Sequence, residues 1–477
     1  MRVAFFDYSL LFYSQGLANL MGVLKTYGHE YKLFIISEEK DIIKSLKEFK
    51  PDLLGFTTVT GGQYPSFNLA RYIKKHMDVL TVFGGPHVTM FPEESIREDC
   101  VDIICRGEGE IPLIELINAI ENNEDYSKIK NLWVKKDGEI VRNEIRDLMQ
   151  DLDKLPMPDR SQYLKYPIVR DLPLKRFLAG YGCPHQCSFC HNAIFLKEIF
   201  KGKGCYLRKK SVDRVLKEIK EVQEISCMKR VHFHDDNFNY HKEWLEEFCN
   251  RYSKEIGIPW SCSIRVDTIT EPIVKMMHDA GCVGVISGIE THNERIRNDV
   301  LDKRLTNEDF ERASRLFKKY NIKHLTAVML NLPGDSFEDV FKMLEYVRKL
   351  KVFGVRPGIY VVSKKQPIIK MLLEKKYIDK VPEIDNFKQD KLEDVALQTP
   401  DLKRIIRISP FINLMLKFPF LEPLIRFITL FPFGRLGNSG RLFDGYLEMR
   451  FMGVPLIQGL RYYFRVKAGF RGTYRLR

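Results

Sequence analysis

Short apolar runs alternate with amphipathic ones through the first third of the chain. RVAFFD, KLFIIS, LLGFTTV, VLTVFGG and DIICRG predict buried strands. SFNLARYIKKH and PLIELINAI, which lie between them, carry the apolar spacing of helices. Strands alternating with helices make a doubly wound parallel sheet of Rossmann-like form, which binds ligands at the carboxyl ends of its strands. The turns that follow the strands are therefore the candidate binding edge: Thr57 to Gly62, Gly84 to His87 and Arg106 to Glu110. No GxGxxG follows the first strand, so a dinucleotide is poorly supported.

The pattern breaks at LDKLPMPDRSQYLKYP, whose three prolines predict an extended linker over 148–175. A second alternating series follows. RFLAG, VHFHDD, WSCSIRV, VGVISGI, HLTAVMLNL and VRPGIYVV predict six strands. SVDRVLKEIKEVQEI predicts a helix with an apolar stripe at Val212, Val215, Leu216, Ile219 and Val222. TNEDF and SFEDV have the form of capping boxes, and Thr270 opens a helix that ends at Gly281. Six such units make a partial (β/α)6 barrel, a shortened form of the eight-unit barrel whose active sites lie at the strand C-termini. The expected fold class is thus α/β: a Rossmann-like sheet domain over 1–147, the linker, a partial barrel over 176–380 and a C-terminal region over 381–477.

Composition changes this picture only at the end of the chain. The 477 residues are 44% apolar and 29% charged, as in ordinary globular proteins, but the net charge of +13 is uneven. From Asp401 onward fourteen Lys or Arg face four Asp or Glu, so +10 of the excess lies there. A basic tail on a nearly neutral body makes nucleic acid an unfavoured partner. The stretch RIIRISPFINLMLKFPFLEPLIRFITLFPFGR mixes large apolar side chains with cations and prolines. A spanning helix needs ~20 uninterrupted apolar residues. An interfacial segment with cations toward phosphate head groups is the expectation for 404–477, against the alternative of a third subdomain packed on the barrel. No secretory signal is legible at the N-terminus, and of ten cysteines all but a triplet are scattered singly, which predicts reduced thiols. The expected location is the cytoplasm, with association at the inner face of the membrane.

The chemistry concentrates at GYGCPHQCSFCH, where Cys183, Cys187 and Cys190 fall just after the first strand of the second series. A structural zinc site is closed and wants four ligands, with His185 or His191 as candidates for the fourth. An iron–sulfur cube held by three thiolates leaves one iron open. Cys205, Cys227, Cys249, Cys262 and Cys282 read as small buried apolar residues.

The CxxxCxxC spacing, with Phe189 before the last Cys, resembles the radical S-adenosylmethionine superfamily. GGPHVTMFPEE, ICRGEGE, LDKLPMPDR, HDDNF, SGIETHNE and NLPGD resemble the branch with an N-terminal cobalamin-binding domain. The resemblance runs from Met1 to about Val362. It implies a 4Fe–4S cluster on the three cysteines, with S-adenosylmethionine on the open iron. It places Phe189 against the adenine, Asp235 and Asp236 at the amino group, and Arg265 and Glu290 at the carboxylate and ribose. It also implies cobalamin held by Thr57, Thr58, Gly84, Gly85, His87, Arg106, Gly107 and Glu108. DYSLLF after the first strand lacks the His of the DxHxxG motif, so the expected cobalamin has no His lower ligand.

The resemblance further implies homolysis of S-adenosylmethionine, hydrogen abstraction from an unactivated carbon, and an electron donor such as flavodoxin or ferredoxin. C-methylation is the leading expectation, and the tail suggests a lipid or isoprenoid substrate over another small molecule. Ring formation and a non-catalytic cobalamin- or metal-sensing role are the alternatives. A methylthiotransferase would need further cluster cysteines, and only Cys100 and Cys105 precede the triplet. No acid or base residue is nominated.

Overall fold

The five apolar runs of the N-terminal series all form strands: β1 (Arg2–Asp7), β2 (Glu30–Ile35), β3 (Leu53–Thr57), β4 (Leu80–Gly84) and β5 (Ile103–Cys105). In this computed structural model the described residues are 1–8, 14–381, 396–431, 437–456 and 458–459. The five strands pair in parallel in the order β2-β1-β3-β4-β5. Two further strands, β6 (Leu132–Lys136) and β7 (Glu139–Arg142), extend the sheet antiparallel. They form a hairpin about Asp137 and Gly138, both at positive φ (51° and 80°), as a tight Asp-Gly turn requires. Apolar clusters bury both faces of this sheet, one around Phe6, Phe56 and Phe83 and the other around Leu17, Ile103 and Ile117.

The segment 148–175 is packed rather than free. Its prolines keep stretches of it extended, but Leu152, Tyr163 and Val169 are buried. The Tyr163 hydroxyl donates to Asp7 Oδ2 at 2.7 Å, which ties the segment to the end of β1. Its Arg160 meets the barrel helix Val212–Ile225 at Glu218, 3.1 Å away.

The second series forms β8 (Leu174–Phe177), a short hairpin of β9 (Gly180–Tyr181) and β10 (Arg208–Lys209), then β11 (Arg230–Phe233), β12 (Trp260–Ser263), β13 (Cys282–Glu290), β14 (Lys323–Leu330) and β15 (Gly354–Ile359). The six main strands pair in parallel in sequence order, giving an open partial barrel with β8 and β15 at its two edges. The helix Asn307–Lys319 starts with the expected capping box between Thr306 and Asp309. At Ser336 the bonds run the other way, with its N–H and hydroxyl both donating to Asp339, and that helix begins at Asp339.

The described part of the tail packs on this barrel. Ile405, Ile408, Ile412 and Met415 join the barrel's main core. The helix Gly437–Met452 closes the barrel end at the start of the strands, with Phe451 and Met452 against Leu174, Ile286 and Leu325. The run RYYFRVKAGFRGTYRLR, together with 432–436, lies outside the described residues. Two cysteines read as buried are instead exposed. Cys205 sits in the Gly- and Lys-rich loop before β10, and Cys227 lies between a helix end and β11, so neither has an element packed over it.

Candidate functional site

The three cysteines lie on one loop between β9 and the short helix His191–Ile194. The loop is pinned from outside. Ser188 donates its N–H to Leu301 O at 2.9 Å and its hydroxyl to Val300 O at 2.7 Å, and Gln366 Nε2 donates to Phe189 O at 2.9 Å. Cys190 N–H donates to Cys187 O at 3.0 Å, which turns the chain between the last two cysteines. Burial raises the Cys183 thiol and pushes Cys190 up to about 11, so the thiolate form needs a positive partner. A cube takes each thiolate at a separate corner and returns the compensating charge, so the loop fits a cluster.

The residues proposed around S-adenosylmethionine separate into two groups. Phe189, Arg265 and Glu290 meet on the segment 302–304. Lys303 Nζ lies 2.6 Å from Glu290 Oε1 and 5.8 Å from the Phe189 ring centre. Arg265 donates to the carbonyls of Lys303 and Arg304 and pairs with Asp267 at 2.8 Å. Glu290 stands at positive φ (62°), where β13 shifts register against β14, and this folds its carboxylate back over Gly288. Asp235 is elsewhere: buried in the barrel wall, it accepts from Ala179 N–H at 3.0 Å and faces Lys209 at 3.7 Å. Asp236 points the other way, into a cavity, and is raised by the protein packed around it.

That cavity is about 370 Å³ and lies between the carboxyl ends of β3 to β5, the helix Gln15–Thr26 and the barrel's β9–β10 hairpin. Of the eight residues proposed for cobalamin, Thr57, Gly84, Gly85, Gly107 and Glu108 line it. Thr58, His87 and Arg106 stand behind the wall. Thr58 donates to Gly84 O and accepts from the His87 N–H, the His87 ring meets Thr60 at 3.2 Å, and Arg106 covers Trp133 at 4.8 Å. A Cβ at Gly84 would find no atom nearer than 3.9 Å, so glycine there leaves room rather than relieving a clash. Apolar walls with a few polar groups, Gln15 and Asn19 among them, suit one face of a large amide-fringed ring, so the cavity fits part of a cobalamin. The residues after β1 at 9–13, where a lower-ligand His is missing from the sequence, lie outside the described residues.

Sequence reasoning missed the barrel's share of this cavity. Arg208 Nη1 donates to Glu108 Oε1 at 2.6 Å and Asn19 Nδ2 donates to the Tyr181 hydroxyl at 3.0 Å, closing the mouth across the domain boundary. Only pairing between domains reveals these, so no local pattern marks them.

Comparison with known proteins agrees with this geometry. Residues 178–347 match the radical SAM superfamily and residues 1–117 match the B12 binding domain. An uncharacterized methyltransferase of Pyrococcus horikoshii is 31% identical over 65% of this chain and 67% of its own. The anaerobic magnesium-protoporphyrin IX monomethyl ester cyclase of Rubrivivax gelatinosus is 25% identical over 68% and 60%. Cytidylyl-2-hydroxyethylphosphonate methyltransferase of Streptomyces wedmorensis is 22% identical over 64% and 66%. The chain thus spans 60 to 67% of the length of these relatives. Among solved structures, the methyltransferase TsrM of Kitasatospora setae with cobalamin and a [4Fe-4S] cluster has a TM-score of 0.64 at 18% identity, covering 78% of this chain and 75% of its own. The cobalamin-dependent radical enzyme OxsB with aqua-cobalamin has a TM-score of 0.69 at 14% identity, covering 99% and 80%. The chain belongs to the radical S-adenosylmethionine superfamily, in the branch with an N-terminal cobalamin-binding domain, and is an enzyme whose cofactors are a 4Fe–4S cluster, S-adenosylmethionine and cobalamin.

Proposed function

We propose that this enzyme transfers a methyl group to an unactivated carbon of a lipid or isoprenoid substrate at an anionic membrane surface. Likeness to the methyltransferases of Pyrococcus horikoshii and Streptomyces wedmorensis supports methylation, and Asp236, which lines the cavity and raises the Cys183 and Cys190 thiols by its charge, supports adjoining cofactor sites. The bound cofactors supply radical generation and methyl carriage, which no amino acid side chain performs. The chain's own work is to exclude water and to fix one substrate carbon between the two sites. The Glu108–Arg208 and Asn19–Tyr181 bonds seal the domain boundary. The Lys303–Glu290 pair lies beside Phe189, where the nucleoside is proposed to rest, and Lys303 also offers its carbonyl to Arg265.

Membrane contact is supported by the tail's surface. Phe418, Phe420, Leu424, Phe427, Leu430 and Phe431 are all exposed within fourteen residues, Phe420 at 76%. Among the described residues no helix is long and apolar enough to cross a membrane; the contact proposed for this region is interfacial. Flavodoxin or ferredoxin is the proposed electron source, and the inner face of the membrane the proposed location.

The test is anaerobic reconstitution of the full chain with iron, sulfide and cobalamin, followed by strong reductant, S-adenosylmethionine and a total lipid extract as the source of substrate. On this reading one S-adenosylmethionine ends as methionine and 5′-deoxyadenosine carrying the substrate's hydrogen. A second ends as S-adenosylhomocysteine after giving up its methyl. Both nucleosides are expected, and both should vanish in Cys187→Ala. Deoxyadenosine alone would favour ring formation, a reading the Rubrivivax gelatinosus cyclase supports. Neither product from a fully loaded protein would favour a sensing role.

A further inference from the structure

The end of the barrel at the start of its strands gathers cations that no acid balances. Arg230 opens β11, Lys323 opens β14, and Arg450 stands in the last turn of the helix Gly437–Met452, which covers this end. Lys323 Nζ donates to Arg450 O at 2.9 Å. The Arg230 guanidinium lies against the backbone of Gly453, where a Cβ would come within 2.7 Å of Nε and Nη2. Lys417 joins them at Phe353, whose ring centre is 5.0 Å from Lys323 Nζ and 5.4 Å from Lys417 Nζ. Lys323, Tyr446, Arg450 and Gly453 line an open groove of about 440 Å³.

Among the described residues none of these four cations is paired with a carboxylate. The two acids of the tail helix are engaged elsewhere, Glu448 by Arg356 and Asp444 by Asn413. Arg230 Nη1 is buried without a hydrogen-bond partner, and Arg450 Nη1 donates to the neutral Tyr446 hydroxyl at 3.2 Å. Burial, Arg230 and Arg450 each lower Lys323, as crowded cations do when no acid stands between them. The carbonyl end of the helix offers only about half a negative charge against them. An anion in the groove supplies the missing charge. The groove is also joined to the tail's exposed rings: Tyr446 lies 6.0 Å from Phe443, Phe443 6.0 Å from Phe418, and Phe418 6.1 Å from Phe420, centre to centre. Leu456, which lines the groove, is itself exposed.

We propose that this groove holds the phosphate of an anionic lipid head group, with Lys323 and Arg450 lining it and Arg230 and Lys417 beside them. A soluble phosphate ester would meet the same cations, but the row of rings leading to an exposed aromatic surface suits a lipid. The inference rests on the membrane contact proposed above and adds the place where a head group docks. The groove lies at the amino ends of the strands and the cofactor cavity at the other end, so this is an anchoring site and not the reaction chamber.

The test is calorimetric titration of the reconstituted full chain with dihexanoyl phosphatidic acid below its micelle concentration, in chloride at fixed ionic strength. Glycerol phosphate is titrated in parallel. Wild type is expected to bind the short-chain lipid at one site and glycerol phosphate about tenfold or more weakly. Arg450→Gln and Lys323→Gln should each lose about tenfold or more, as removal of a charge-assisted hydrogen bond implies. Arg450 is exposed, so its variant carries the reading if Lys323→Gln fails to fold. Lys254→Gln removes the same charge from an exposed position on the helix Lys242–Glu255 and should bind as wild type does. No binding of the lipid overturns the proposal. So do unchanged binding in the groove variants and an equal loss in Lys254→Gln, either of which would make the attraction diffuse. Glycerol phosphate bound as tightly as the lipid overturns the choice of a lipid. No turnover or vesicle is involved, and vesicle sedimentation of the same protein reads the membrane contact separately, so the two can fail apart.

Discussion

At the residue scale, what a side chain is bonded to decides its role more than its type. Asp235 and Asp236 are neighbours in sequence, yet one is locked in the barrel wall by Lys209 and Ala179 while the other faces the cavity. Alternation separates them, and only Asp236 is placed to meet a cofactor. Glu218 shows the same principle in stability. It is 1% exposed and bonded to Lys210 at 2.7 Å, Arg214 at 3.0 Å and Arg160 at 3.1 Å. Burial alone would raise this carboxyl, but Lys210 and Arg160 outweigh it and hold it down to about 2. Its contribution is complete above the ordinary glutamate value of 4.5 and is lost as pH falls toward 2, because the unfolded state then binds the proton first. Glu218→Gln removes the acid that Lys210, Arg214 and Arg160 share and is expected to cost about 3–5 kcal/mol. Urea unfolding at pH 7 measures it, and the gap between variant and wild type should shrink below pH 4.5. A gap that is absent, or constant with pH, would mean that water or rearrangement satisfies the cluster.

At the element scale, the binding edge of the N-terminal sheet has room at Gly84 but none at Gly85. Gly85 adopts φ 97°, and a Cβ there would lie 2.6 Å from Thr58 O and 2.9 Å from Thr58 N. Gly85→Ala must push the β4 turn away from the β3 turn, displacing Thr57 and Gly84 on the cavity wall. Strain of about 1–3 kcal/mol should appear as cobalamin affinity reduced by about tenfold, read from the visible absorbance retained after gel filtration. Full retention would show that the turn does not touch the cofactor. Eleven strands of the two main sheets were legible because buried parallel strands are continuous apolar runs. The β6–β7 hairpin was passed over although Asp137–Gly138 marks its turn, because LWVKK and EIVR are short and half polar. Within the site, glycine-rich turns were legible as a cavity wall, and the cysteine spacing as a ligand set. The Glu108–Arg208 bond was not, since it joins a turn of the N-terminal sheet to a strand of the barrel's hairpin.

At the scale of the whole molecule, the tail does two things that the apolar–basic pattern alone does not separate. Its inward side chains complete the barrel, with Ile405 and Ile408 fully buried and Phe451 closing the floor. Its outward side chains form an aromatic surface, where Phe418 pairs with Phe420 and Phe427 with Phe431, ring centres 6.1 and 5.8 Å apart. Apolar surface of this kind on a soluble face is costly to leave in water unless something covers it. An anionic bilayer is the covering that matches the charge: residues 461–477 carry six Lys or Arg and no Asp or Glu. The two contributions respond differently to salt, which makes them separable. Co-sedimentation with vesicles containing phosphatidylglycerol should exceed that with phosphatidylcholine alone, and salt should weaken it by screening. The pair Phe420→Ser and Phe427→Ser should reduce binding at every salt concentration while leaving the cluster and cobalamin in place, because both rings point away from the core. Equal binding to neutral vesicles would remove the electrostatic half of the argument. Unchanged binding by the double variant would remove the aromatic half, and with it the structural reason for choosing a lipid substrate.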